Sequence, residues 1–263
     1  MTNVAIYGAA GRMGQRLVAL TIETDGLNLV GAIEQAGHPL LGKDAGVIAG
    51  VGEVGVYLSD QVPNNAQVVV DFSVPEATRA LLGQCVTTGA GMVVGTTGLT
   101  TDDHATLDEA ANTIAVLQAP NMSLGVNLLF ALAGQVAKKL GDDYDIEIVE
   151  AHHRFKKDAP SGTALGIAEA ICEATGKDIN ADVVHGRQGD DTTRQRGQIG
   201  MHALRMGDTV GQHSAIYSTL GERIELTHVA SNRDIFARGA LTAAAWLADQ
   251  PAGRYGMANV LDL

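Results

Sequence analysis

The sequence predicts an α/β protein: a doubly wound parallel sheet followed by an α+β region with a mostly antiparallel sheet. Three observations lead there. Short apolar runs alternate with helix-length segments through the first half. A glycine-spaced turn joins the first of these runs to the first helix. Beyond Ala119-Pro120-Asn121-Met122-Ser123 the strand patterns lengthen, and a hairpin signal appears at Leu220-Gly221-Glu222.

The elements follow in order. Val4–Tyr7 reads as a strand, and Arg12–Glu23 as an amphipathic helix. Leu29–Ile33 is the next strand and ends at Glu34; Val68–Asp71 is another. Pro75 stands at the first position of a helix running to about Thr88, where its missing N–H costs nothing. Met92–Val94, a helix over Thr101–Ala111 and the strand Ile114–Leu117 complete the alternating series. A long helix is expected over Val126–Leu140, a strand over Asp145–Glu150 and a helix over Ser161–Thr175. Strands then follow over Ile199–Arg205, Ser214–Thr219 and Arg223–Val229. A final helix, Ile235–Ala248, is expected to return to the first domain. The domain boundaries read as 1–122, 123–232 and 233–263, and the polar loop 187–197 as mobile.

Composition narrows the function. Of 263 residues, 46% are hydrophobic, which excludes a disordered chain. The net charge of −12 disfavours a nucleic-acid or anionic-membrane partner. Residues 1–137 hold only Arg12, Arg16, Lys43 and Arg79 as basic side chains, so positive charge concentrates later. No apolar run approaches the ~18 residues of a membrane span, and Met1–Gly8 lacks the basic start and apolar stretch of a signal peptide. A cytoplasmic protein is expected. Cys85 and Cys172 are far apart, and they read as buried free thiols with no metal site.

Gly8-Ala9-Ala10-Gly11-Arg12-Met13-Gly14 has the strand–turn–helix context of a Rossmann-type dinucleotide site, with Ala10 at the middle glycine. Its glycines let the backbone approach a pyrophosphate at a helix N-terminus. Glu34, at the end of the second strand, can accept hydrogen bonds from ribose hydroxyls and would repel a 2′-phosphate. Gln35 supplies no positive charge to hold that phosphate, so NADH is favoured over NADPH. Gly95-Thr96-Thr97 lies on the same predicted sheet edge.

Glu150-Ala151-His152-His153-Arg154-Phe155-Lys156-Lys157-Asp158-Ala159-Pro160-Ser161-Gly162-Thr163 runs from a strand through a basic loop into a helix start. Ser161 can cap that helix, whose first amides would face an anion. With Arg154, Lys156 and Lys157 this forms a pocket for a small carboxylate, and His and Lys can exchange protons. The adjacent histidines are not expected to play equal roles, and Phe155 is expected to anchor packing.

Taken together, these segments resemble the 4-hydroxy-tetrahydrodipicolinate reductase (dihydrodipicolinate reductase) family of diaminopimelate and lysine biosynthesis. The resemblance rests on Gly8–Gly14, Gly95–Gly98, Asn121–Asn127, Glu150–Thr163, Gly221–His228 and the Val260–Leu263 tail. It implies a homotetramer, a cyclic dicarboxylate substrate, and domain closure about hinges near Met122-Ser123 and Ser231–Arg233. It further implies that His152 donates and accepts a proton, that Lys156 donates one, and that His153, Lys156, Ser161, Gly162 and Thr163 hold the substrate. Gly8, Ala9, Ala10, Gly11, Arg12, Met13, Glu34, Gly95, Thr96, Thr97, Ala119, Pro120, Asn121 and Met122 would line the dinucleotide. Gln35 and Val74 stand where some relatives carry Arg, and Pro120 where Ala is more usual. The first two point to weaker NADPH use and leave use of both cofactors open. Another two-domain reductase would not need the His-His-Arg-x-Lys pocket, and a nicotinamide-sensing regulator would carry a basic recognition helix, which the sequence lacks.

Overall fold

The computed structural model describes residues 1–263 and divides them into two compact units. One comprises Met1–Leu124 with Asp234–Leu263, the other Gly125–Arg233.

In the first unit the elements are β1 (Thr2–Tyr7), α1 (Arg12–Glu23), β2 (Leu27–Ile33), α2 (Ala45–Ala49), β3 (Leu58–Ser59), β4 (Val68–Asp71) and α3 (Pro75–Thr88). β5 (Gly91–Val94), α4 (Thr101–Ala110) and β6 (Ala115–Gln118) follow. The chain leaves through α5 (Leu124–Leu140). The strands form one parallel sheet whose centre reads β5-β4-β1-β2. Its strands are covered on both faces, so they are apolar without alternation. Val4, Ile6, Val68 and Val70 belong to one core that includes α1, while Ala5, Tyr7, Val69 and Met92 belong to a second with α3 and α4. β1 lies between β2 and β4, so the chain turns opposite ways from the two sides of its carboxyl end. Such a switch point opens a crevice for ligands.

The second unit adds a short 3₁₀ turn, then β7 (Asp145–His152), α6 (Gly162–Thr175), α7 (Ile179–Asp182) and β8 (Val183–His185). Next come β9 (Ile199–Arg205), β10 (Gly211–Thr219) and β11 (Glu222–Ala230). The sheet order is β11-β10-β7-β9-β8. It is mixed: β10 pairs antiparallel with β7 and β11, as expected, and β9 adds a parallel part by pairing with β7 and β8. The cause is α6, a crossover that carries the chain back so the next strands run parallel to β7. Reading only the hairpin signal misses it. One sheet face packs on α5 and α6 through Ile146, Ile148, Ala215 and Tyr217, whose buried hydroxyl donates to the Ala133 carbonyl at 2.7 Å.

In the polar loop 187–197 three arginines make ion pairs. Arg187 and Arg194 both pair with Glu147 on β7, and Arg196 pairs with Asp143. Phe155 is 78% exposed, so it does not anchor packing. Both cysteines are buried and unpaired, and burial pushes the Cys85 thiol up to about 12. No helix is long and apolar enough to cross a membrane.

After Arg233 the chain returns to the first unit as α8 (Asp234–Leu247), β12 (Gly253–Tyr255) and α9 (Met257–Leu261). Ala240, Leu241, Ala244 and Leu247 of α8 join the core on the α1 side, and β12 extends the parallel sheet beside β6.

Candidate active site

The first unit gathers its motifs on one edge of the parallel sheet. Gly8 follows β1, Glu34 follows β2, Gly95 follows β5 and Ala119 follows β6. Gly8 has a φ of 70°, a left-handed conformation that glycine adopts without a Cβ penalty. Its N–H and that of Ala9 donate to the Ile33 carbonyl, which ties the loop to β2. Gly11 caps α1 without any side-chain bond, and no acidic residue occupies the first turn. The helix therefore presents uncapped amides and the positive end of its dipole.

Gly14 sets how closely α1 approaches this loop. A Cβ there would lie 2.0 Å from the Gly8 oxygen and 2.6 Å from the Ala9 Cα. A Cβ on Gly95 would meet the Phe72 ring at 2.5 Å. Gly14 excludes any side chain because it would strike main chain, whereas at Gly95 the Phe72 ring would have to move. This arrangement fits a dinucleotide.

Glu34 is half-buried, and its Oε1 accepts the Ala10 N–H at 2.9 Å. The second strand end thus props the glycine loop. Nearby, a cavity of about 310 Å³ is lined by the expected Met13, Gly95, Thr96, Thr97, Pro120, Asn121 and Met122. Phe72, Ser73 and Phe236 also line it, and the sequence reading missed them. Gly8, Ala9, Ala10, Gly11, Arg12, Glu34 and Ala119 do not line it. Under its floor, fully buried Asp71 accepts from the hydroxyls of Ser73 (2.5 Å), Thr78 (2.5 Å) and Thr96 (3.0 Å). Burial raises the Asp71 pKa above its ordinary value, and these hydroxyl bonds oppose the rise without cancelling it.

The second unit places His152, His153, Lys156, Ser161, Gly162 and Thr163 around the end of β7 and the start of α6. β7 ends at His152, so His153 lies beyond the strand. His152 Nδ1 donates to Glu150 Oε2 at 2.6 Å, and its Nε2 lies beside Gly211. Glu150 is fully buried and also receives both guanidinium arms of Arg205 at 2.8 Å. Burial alone would raise the Glu150 pKa; hydrogen bonds from Arg205 and His152 outweigh it and hold the pKa below its ordinary value.

Ser161 is 2% exposed and fully engaged: its Oγ accepts the Ala164 N–H at 3.2 Å and shares a hydrogen bond with His213 Nε2 at 2.9 Å. His213 stands edge-on to His152, ring centres 5.0 Å apart. Burial pushes the His213 pKa down to about 4, aided by repulsion from His152. Lys156 Nζ pairs with Asp158 at 2.8 Å. Arg205 and His213 were not expected at this site. They lie more than 50 residues from their partners, and only the strand pairing brings them in.

The chain matches two family models end to end. Residues 2–122 match the N-terminal model of dihydrodipicolinate reductase, and residues 125–261 match the C-terminal model. The chain belongs to the dihydrodipicolinate reductase family. A 4-hydroxy-tetrahydrodipicolinate reductase from Alkalilimnicola ehrlichii is 48% identical over 265 residues, covering 100% of this chain and 99% of that protein. One from Hahella chejuensis is also 48% identical, with 100% of both chains covered. Among solved structures, a dipicolinate-bound dihydrodipicolinate reductase from Paenisporosarcina sp. TG-14 superposes with a TM-score of 0.76 at 23% identity, over 98% of this chain and 99% of that one. That likeness speaks for the fold, and the sequence matches speak for the family.

Proposed function

We propose that this reductase-family chain performs the reaction of its relatives: NAD(P)H-dependent reduction of 4-hydroxy-tetrahydrodipicolinate to tetrahydrodipicolinate, in the diaminopimelate and lysine route. The observation that carries it is full-length membership joined to the Glu150–His152 pair beside an α6 N-terminus. The family's small dicarboxylate substrate matches the dipicolinate bound by the structural neighbour.

Uncapped α1 amides and Gly8–Met13 would hold the pyrophosphate, Glu34 the adenosine ribose, and Gly95–Thr97 with Ala119–Met122 the nicotinamide end. The bound dinucleotide supplies a hydride. The chain's own residues do the rest. Gly162 and Thr163 amides, with Lys156, bind one carboxylate, and Ser161 fixes that helix start through its cap. His153 contacts the substrate from the neighbouring position. His152 and Lys156 manage the proton delivered to complete the reduction and the charge that develops on the ring. NADH is the preferred cofactor, because Glu34 faces the ribose position and exposed Gln35 offers no positive charge. The same reading includes domains at 1–122, 123–232 and 233–263, a cytoplasmic location and a homotetramer. Exposed Leu204, Ile224 and Val229 on β9 and β11 support association through the second unit.

In a coupled assay with enzymatically made substrate, His152→Ala and Lys156→Ala should each lower kcat by roughly 10²–10⁴-fold with folding retained. Near-normal turnover in both would sink the assignment. Calorimetry should show tighter NADH than NADPH binding; the reverse order would overturn the reading of Glu34 and Gln35.

A further inference from the structure

We propose that Glu150 and Arg205 are positioning residues for His152: their buried ion pair holds the proton on Nδ1 and leaves Nε2 to face the ligand. The proposal rests on His152 being the acid/base group. It adds a reason why His152, rather than the adjacent His153, takes that role.

The geometry leaves the Glu150 carboxylate little freedom. Oε1 accepts the Ser161 N–H at 3.1 Å and Arg205 NH2 at 2.8 Å. Oε2 accepts Arg205 NH1 at 2.8 Å and His152 Nδ1 at 2.6 Å. A carboxylate has about four acceptor sites, so every one is occupied and rotation would break bonds. Glu150 and His152 are two residues apart on β7 and share a face. Arg205 stands directly opposite His152 in the β7–β9 register. A plain structural ion pair would need only Glu150 and Arg205; here the carboxylate reaches past it to one imidazole nitrogen. His153 has no such partner, and its buried Nδ1 makes no hydrogen bond.

Other titratable groups stand around His152. Neutral His213 stands on β10, with His228 beyond it on β11, and Lys156 and Asp158 pair with each other in the loop. Gly211 leaves room beside Nε2, since a Cβ there would sit 3.2 Å from it. The Ser161 N–H on the same carboxylate has a further effect: the acid/base group and the anion-binding helix start are anchored to one side chain.

The test combines spectroscopy with kinetics. Histidine ¹⁵N NMR of the wild-type protein should show His152 protonated at Nδ1 across the neutral range; a neutral ring with the proton on Nε2 would overturn the proposal. Glu150→Gln should lower kcat roughly 10²-fold or more, as losing a tautomer-setting carboxylate does elsewhere. KM should change less than about threefold, and the pH–rate profile should shift to lower pH. Added to His152→Gln, it should cause no further loss, because it acts through that ring. A folded Glu150→Gln enzyme with unchanged kcat, or losses that multiply in the double variant, would overturn the positioning role alone. Undiminished turnover in His152→Gln would overturn the underlying assignment and the proposal with it. Should Glu150→Gln not fold, Glu150→Asp, which keeps the charge but shortens the reach, should show the same fall in kcat; normal kcat there would count against the role.

Discussion

The two units build their candidate sites from different materials. In the first, the site is mostly backbone: uncapped amides at α1, a left-handed Gly8, and two glycines at which a Cβ would meet neighbours at 2.0 and 2.5 Å. In the second it is mostly charge: a buried carboxylate, an arginine fork and two imidazoles drawn from three strands. The lesson concerns how each can fail. A backbone site is lost to added volume, even a methyl group. A charged site is lost to a changed proton, even where the shape is kept.

The largest effect should come from Gly14→Ala. Its methyl would collide with main chain on the Gly8–Ala9 turn, and main chain cannot swing aside as a side chain can. We expect NADH affinity to fall more than about 100-fold and stability to drop by about 3 kcal/mol or more, as overpacking against fixed atoms does. Calorimetry and thermal melting would check both; normal binding would break the contrast between the units.

Next is pH. The His213 pKa is depressed from 6.5 to about 4 by burial, so the unfolded chain takes up a proton in this window before the folded one does. Stability from this group is full above pH 6.5 and is lost as pH falls through 4. The swing is on the order of 3 kcal/mol. His213→Gln, which can still reach Ser161, should flatten urea-unfolding stability across that range; an unchanged slope would show that the buried imidazole is not its source.

The smallest effect should be Gly162→Ala. No atom lies within 4 Å of a Cβ built there, although this glycine sits in the most specific motif of the chain. Its melting free energy should change by less than about 0.5 kcal/mol. A large loss would mean that the second unit shares the steric intolerance of the first.

The same contrast explains what could be read from sequence. The first unit's strands and glycine turn are local, since buried parallel strands are short apolar runs and close backbone approach demands glycine at fixed spacing. β3, β8 and β12 were missed because two or three residues, such as Gly253-Arg254-Tyr255, carry no period. α2 was missed because its five residues depend on Asp44, which gathers the N–H groups of Gly46, Val47, Val54 and Gly55. The His152–Lys156 segment announced itself by composition. Its partners did not, because Arg205 looks like any strand-end arginine until β9 pairs with β7. The hairpin predicted one half of the second sheet correctly, while the crossover made by α6 set the other half.

The return of α8 to the first unit carries a consequence for how the chain is made. As the polypeptide leaves the ribosome, the second unit has all its residues once Arg233 has emerged. The first unit began earlier but still lacks Ala240, Leu241, Ala244 and Leu247 from its core, and β12 from its sheet. The glycine turn, although synthesised first, is thus among the last parts to gain a finished foundation, and the partly built sheet must wait with apolar surface uncovered. For this chain, synthesis order and completion order run opposite ways.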